Sequence, residues 1–339
     1  RPTSFPIAAD ESFATRDGAG LLDISGFSRY RISGARTEAW MDKLLACRLP
    51  KSGKVKMAPM LGHDGRLKGD LTCFNWGNDE YWLMGSYYLR EFHMRWFNDH
   101  MEDNVSVEDI SDAYAGFAVA GPNARAILEK VSDTDLSSLK MMNCTSADLG
   151  LHRVRVSRLS LSGEMAYEIN CAANEQAQLR RLLLDAGADL AIKEVGFASM
   201  MSMRLEKGIG IWNAEFTQAY TPAMTGLDRW IAWDKGDFIG KAAAQSAPKP
   251  DRVLTMLEVD ADNADASGFE PVWQGDKLVG MTTSGGFGHR VGKSLALALV
   301  DRELAEPGND LAIHVVGENR GAKTIEMSPY DPDGSRMRA

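Results

Sequence analysis

The chain of 339 residues is 44% hydrophobic, 25% charged and 8% aromatic, ordinary globular proportions that exclude a disordered, collagen-like or coiled-coil protein. Lys plus Arg number 38 against 47 Asp plus Glu, a net charge of −9 with the basic residues scattered, which argues against gripping nucleic acid or an anionic membrane. No apolar run approaches the roughly 20 residues needed to cross a bilayer, and at about 100–200 residues per domain the length predicts two or three domains.

In chain order, residues 27–32 alternate like a half-buried strand, and 37–47 follow with apolar positions at helical spacing (Trp40, Leu44, Leu45). Strands are predicted over 54–61 and 66–74, joined through His63-Asp64-Gly65, where Asp-Gly is a hairpin signal. A third strand is predicted over 80–85 and an amphipathic helix over 87–101. Residues 114–133 read as strand, Gly121-Pro122 turn and helix. Strands at 152–161 and 165–171 flank Ser162-Gly163 as a second hairpin, and 174–186 is a Leu-rich helix. The pattern changes near residue 250. Short strands at 253–259, 271–274, 277–283, 294–300, 311–316 and 321–326 predict a small β-barrel or sandwich, and the Pro-flanked stretch 247–251 is the best domain boundary. No internal repeat is present.

The four cysteines, Cys47, Cys73, Cys144 and Cys171, stand alone, so neither a zinc knuckle nor a disulfide framework is encoded and a reducing compartment is expected. The first residue is Arg1, without a charged-then-apolar leader, which we read as a trimmed start or a piece of a longer polypeptide. His93 and His100 lie seven apart on one predicted helix. Helical metal pairs prefer four, so we read the two as surface or interface histidines and expect no metal site. Gly288 to Ser294 has three residues between its glycines where a phosphate loop needs four, and reads as a turn. Neither GxGxxG after a strand nor GxSxG occurs. Asp70 sits between apolar neighbours in a predicted strand. Pointing inward it must be paired or titrate high, pointing outward it is merely solvated, and composition favours outward. Glu164 and Glu168, four apart, are expected on one polar strand face. Read this way, the chain is an α+β protein with carboxylate candidates.

Several stretches taken together resemble the folate-dependent aminomethyltransferase family, the glycine cleavage T-protein and its relatives. They are Gly20-Leu-Leu-Asp-Ile-Ser25, Gly65-Arg-Leu-Lys-Gly-Asp-Leu-Thr72, Ala120-Gly-Pro-Asn-Ala-Arg125 and Ser162-Gly-Glu-Met-Ala-Tyr-Glu168. Leu205-Glu-Lys-Gly208, Gly226-Leu-Asp228, Phe238-Ile-Gly-Lys241, Thr283-Ser-Gly-Gly286 and Gly292-Lys-Ser-Leu-Ala-Leu297 continue the match in order over almost the whole chain. Arg204 to Gly208, His289 to Ser294 and Tyr330-Asp-Pro332 look closest to the C-terminal folate-binding half of dimethylglycine and sarcosine dehydrogenases, in which a flavin half oxidises an N-methyl amine.

The resemblance implies an α+β three-domain cloverleaf, with two interleaved α+β domains over 1–245 and a β-barrel domain over 250–335. It implies tetrahydrofolate as cofactor and transfer of a methyl or methylene unit from a methylated amine-type donor. On the residues that match, Asp70 takes the catalytic position and Glu168 the pterin-binding one, with Trp212, Met57 and Ser86 lining the pocket. Core packing is the competing reading of Trp212 and Met57. The partners implied are a small-molecule methyl donor and a flavin-dependent dehydrogenase domain or subunit, with no nucleic acid or membrane. The location implied is the cytoplasm, or the mitochondrial matrix in a eukaryote. The alternatives are a direct demethylase of a sulfonium, betaine or aryl ether donor, and a non-catalytic folate-binding module of a larger dehydrogenase. Two departures, Leu161 for a tyrosine and Met200 for an arginine, point to a changed donor side, because methionine cannot bind a carboxylate as arginine does.

Overall fold

A computed structural model describes residues Arg1–Ala339. The first half opens with α1 (Phe5–Asp17), β1 (Ala19–Asp23), β2 (Ser28–Ser33) and α2 (Thr37–Leu44). It continues through β3 (Lys54–Leu61), β4 (Leu67–Gly77), β5 (Glu80–Gly85), α3 (Arg90–Asp99) and β6 (Ser106–Asp109). Then come β7 (Tyr114–Ala120), α4 (Ala124–Glu129), β8 (Cys144–Leu149), β9 (His152–Ser157), β10 (Ala166–Ala172), α5 (Gln176–Gly187) and β11 (Ile192–Glu194). Three helices, α6 (Phe197–Glu206), α7 (Pro222–Thr225) and α8 (Lys241–Ser246), lead to β12 (Arg252–Val259), β13 (Pro271–Gln274) and β14 (Lys277–Gly288). The chain ends in β15 (Lys293–Asp301), β16 (Asp310–Val315), β17 (Glu318–Ile325) and α9 (Ser335–Arg338).

These strands make three bodies. A six-stranded sheet has the order β11-β1-β7-β10-β9-β8, a five-stranded sheet the order β3-β4-β5-β2-β6, and β12 to β17 close a barrel. The chain enters the first sheet at β1, leaves to build all of the second, and returns at β7. Period-two alternation gives each sheet two distinct faces. In the six-stranded sheet Phe117, Val119, Tyr167 and Ile169 point into a core shared with Leu179 and Leu183 of α5. In the five-stranded sheet Tyr30, Ile32, Leu71, Cys73 and Leu83 pack on Trp40 and Met41 of α2 and Phe97 of α3. The barrel encloses Leu257, Val272, Val279, Ala298, Ile313 and Val315. No helix is long and apolar enough to cross a membrane.

The hairpin expected at His63-Asp64-Gly65 forms. The Gly62 amide donates to the Arg66 carbonyl at 2.8 Å, and Gly65 takes φ +75° with the backbone of Ala243 and Ala244 packed where a side chain would project. The segment Gly288 to Lys293 is the turn between β14 and β15, as read. The second expected hairpin is looser: β9 ends at Ser157 and β10 begins at Ala166, so the intervening residues form a wide loop. Just beyond the end of β9, Arg158 turns inward and donates to the carbonyl oxygens of Leu139 and Ala339.

That loop corrects one expectation. Glu164 shares no strand face with Glu168. It is buried in the loop, where it accepts from Arg16 at 3.0 Å, Tyr330 at 2.5 Å and Arg336 at 2.8 Å. Arg16 reaches on to Glu206 at 2.7 Å, tying α1, α6 and the C-terminal segment together. The other charged residue of α6, Arg204, bonds Glu215 at 2.9 Å, and Glu215 accepts from Thr283 and Ser284 of β14. Glu206 also accepts the backbone N–H groups of Arg290 and Val291 in the β14–β15 turn. The Arg204-to-Gly208 segment is therefore the seam along which the barrel joins the rest.

Candidate functional site

Strand register brings the sequence-predicted residues together. Met57 of β3 pairs with Thr72 of β4, Pro59 with Asp70, and Thr72 with Met84 of β5. Met84 pairs in turn with Arg29 of β2. Ser86 lies one step beyond β5 and two residues from Met84, so it continues the same face level with Asp70. Met57, Asp70, Ser86 and Arg29 thus share the sheet face turned away from the α2–α3 core. By the same alternation Glu168 and Asn170 of β10 lie opposite the core face of the six-stranded sheet, Glu168 between Ala118 of β7 and Ser157 of β9 and Asn170 between Gly116 and Arg155. Arg29 joins the two faces: its Nε donates to Asn170 Oδ1 at 2.7 Å.

The electrostatics of the two carboxylates depart from those of a solvated surface. Asp70 is half-buried, and its Oδ1 is sealed from solvent without a hydrogen-bond partner. Burial pushes its carboxyl up to about 6. The outward, solvated reading of Asp70 is therefore overturned. Glu168 accepts no hydrogen bond from the protein, and burial raises it to about 7 against the opposing pull of Arg29. An unpartnered carboxylate beside a fixed cation is an acceptor for N–H groups that the protein itself does not supply.

Behind Asp70 the backing is tight. His93 of α3 is fully buried between Gly69 and Gly85, and a methyl group at Gly69 would stand 2.9 Å from its Nε2. Its Nδ1 lies 3.2 Å from the Tyr30 hydroxyl, and burial lowers it to about 4, so it is a neutral packing residue. The surface reading of His93 is corrected accordingly. His100, by contrast, is partly exposed, with its Nε2 3.2 Å from that of His63. No group of three or more potential metal ligands occurs, and the four cysteines are free and buried.

Trp212 is buried, in a cluster with Leu61, Leu67, Phe216, Leu227 and Phe238 at the end of the β3–β4 hairpin. Its apolar body is core, beside the strand that carries Asp70. Met57 is half-buried on the site face. Met200 is buried on α6 and Leu161 half-buried in the loop before β10. Two open clefts of about 530 and 490 Å³ lie along the barrel and include none of these residues. Sequence reasoning missed Arg29. It shares one strand face with Arg31, yet Arg31 is half-buried and pairs with Glu108 at the surface whereas Arg29 is fully buried.

Comparison with known proteins agrees with this architecture. Residues 1–235 match the GCVT N-terminal domain and residues 252–331 the glycine cleavage T-protein C-terminal barrel domain. The aminomethyltransferase of Saccharopolyspora erythraea is 30% identical over 97% of this chain and 91% of its own length. Mitochondrial dimethylglycine dehydrogenase of Mus musculus is 30% identical over 91% of this chain, which spans only 36% of that protein. The crystal structure of aminomethyltransferase T of the glycine cleavage system from Bartonella henselae has a TM-score of 0.88, covering 96% of this chain and 90% of that one at 20% identity, a likeness of fold. The chain belongs to the aminomethyltransferase, or glycine cleavage T-protein, family, whose shared chemistry is one-carbon transfer dependent on tetrahydrofolate.

Proposed function

We propose that this chain transfers a one-carbon unit from a methylated amine-type donor to tetrahydrofolate, with Asp70 as the catalytic carboxylate and Glu168 as the pterin anchor. The observation that carries the reading is the pair of carboxyls, one with a sealed and unpartnered oxygen and the other accepting nothing from the protein, on sheet faces that Arg29 joins. These residues fit the cofactor. A pterin offers adjacent N–H donors, and Glu168 is a carboxylate acceptor that no protein donor occupies. When bound, tetrahydrofolate supplies the nucleophilic nitrogen that takes up the one-carbon unit.

The chain's own residues would then act as follows. Glu168 accepts the pterin N–H groups and fixes the orientation of the ring. Asp70, titrating near 6, exchanges a proton at its carboxyl oxygen close to working pH, which suits a general acid–base group. Met57 and Ser86, on the same face, wall the pocket, and Trp212 stiffens the end of the hairpin that carries Asp70. The likeness to dimethylglycine dehydrogenases, of whose length this chain spans little more than a third, supports an N-methyl amine as the carbon source and a dehydrogenase domain or subunit as partner.

The test is turnover of the Asp70→Ala variant, read as methylene- or methyl-tetrahydrofolate formed from methylated amine, sulfonium, betaine and aryl ether donors. A fall of about a hundredfold or more with tetrahydrofolate affinity largely intact is expected. Unchanged turnover on the accepted donor would overturn the assignment of Asp70. Product formed only from a non-amine donor would overturn the amine reading.

A further inference from the structure

Three arginines are among the largest fully buried side chains, Arg16, Arg29 and Arg204. Arg16 and Arg204 are each paired with glutamate, at 2.7 Å and 2.9 Å. Arg29 forms no such ion pair. Its Nε donates to Asn170 Oδ1 at 2.7 Å, one terminal nitrogen to the carbonyl oxygens of Ser25 and Phe27 at 3.0 and 2.8 Å, and the other to that of Ile24 at 3.0 Å. Every acceptor is neutral, so a cation is built into the interior and left without a bonded counter-ion, an arrangement that burial disfavours unless it serves a neighbouring charge.

The surroundings leave one candidate for that neighbour. On β10 Glu168 lies two residues from Asn170 on the same face, within one strand repeat of the guanidinium's anchor. From β1, Asp23 also bears on Arg29, but its oxygens accept from the Ser25 amide and the Gln176 side chain. From β9, Arg155 is engaged with Ser146 and Glu80, and Ser157 stands opposite Glu168. From β7 comes uncharged Ala118, and the Cys171 thiol lies on the other face of β10. Arg29 is the charge that opposes the effect of burial on Glu168.

We propose that Arg29 is a positioning residue for Glu168, a counter-charge held back by neutral acceptors so that it favours the ionised carboxylate without occupying the lone pairs that receive the pterin. A bidentate Arg–Glu pair would supply the same charge but consume those acceptors. The neutral clamp of three carbonyls and an amide separates the two effects. The inference rests on the reading of Glu168 as the pterin anchor, and it makes the pH range of tetrahydrofolate binding a property of Arg29.

The experiment is anaerobic titration with tetrahydrofolate from pH 5.5 to 9 for wild type, Arg29→Gln, Arg29→Lys, Asn170→Ala and Glu168→Gln. In wild type, affinity should fall about tenfold per pH unit below a midpoint. Arg29→Gln should move that midpoint up by about one unit or more, whereas Arg29→Lys, which keeps the charge, should stay near wild type. Asn170→Ala frees the guanidinium to turn onto Glu168, so the midpoint should drop and affinity weaken at every pH. If Arg29→Gln does not fold, Asn170→Ala decides alone. Midpoints unchanged in the folded Arg29 and Asn170 variants, with the pH dependence abolished in Glu168→Gln, would overturn the role of Arg29 and leave the site intact. A wild-type profile in Glu168→Gln would instead overturn the site reading itself.

Discussion

At the scale of single residues, burial raises Asp70 to about 6 and Glu168 to about 7, whereas in an unfolded chain both would ionise near pH 4. Between these limits the folded protein holds protons that the unfolded chain has already released. Stability from this pair is therefore fully present at acid pH and is lost as pH rises from about 4 to 7. Asp70→Asn and Glu168→Gln remove the loss. Each variant should be more stable than wild type at pH 8, by on the order of 1 kcal/mol, and should show no such advantage at pH 4.5. Thermal unfolding at the two pH values checks this, and an equal shift at both would contradict the burial of these charges. Asp70 was legible as an oddity in the sequence, a charge inside an apolar strand, but its direction was not. Which face of β4 is covered depends on a second sheet that arrives much later in the chain.

At the scale of elements, β4 presents Asp70 to the site and Gly69 to the packed side, where His93 is wedged against Gly85 as well. Gly69→Ala brings a methyl group to within 2.9 Å of the fully buried His93 ring, too close for an ordinary contact, so strand and ring must move apart. We expect a loss of about 1–3 kcal/mol, with turnover reduced because Asp70 moves with the strand. Thermal unfolding and turnover measured together test this, and an alanine variant with wild-type stability and activity would show that β4 is not held from behind. Alternation and turn chemistry revealed β3, β4, β5 and the barrel strands, since each carries its signal within a few residues. They did not reveal α1 or α6. Those helices bury polar and charged residues, Ser12, Thr15, Arg16, Ser199, Ser202, Arg204 and Glu206, so their inward faces do not look apolar. Their buried charges find partners far along the chain, which no local pattern displays.

At the scale of the whole molecule, two sheets and a barrel keep separate main cores and are joined by smaller apolar clusters, Phe74, Trp82 and Met84 with Cys144 between the sheets and Leu205 with Met256 and Leu295 at the barrel, and by buried ion pairs. Arg16 with Glu164 and Glu206, and Arg204 with Glu215, lie along the seams, and each is buried. Such pairs add little net stability over an apolar substitute, but removing one member leaves an uncompensated charge. They fix how the bodies sit, and Arg29 performs the equivalent task between the two sheets while leaving Glu168 open. Of the site residues read from resemblance, Met57, Asp70, Ser86 and Glu168 fall on the two faces that this bridge connects, although Glu168 follows the other three by more than eighty residues. No local pattern could have placed them together, because the juxtaposition is made by strand register and by the return of the chain at β7. The most direct test is calorimetric titration of the purified chain with tetrahydrofolate under anaerobic conditions, wild type against Glu168→Ala. Saturable binding that falls by about a hundredfold or more in the variant is predicted, as expected for lost hydrogen bonds to a charged acceptor. Equal binding by the two proteins would contradict the assignment of Glu168 as the anchor, and with it the account of the site.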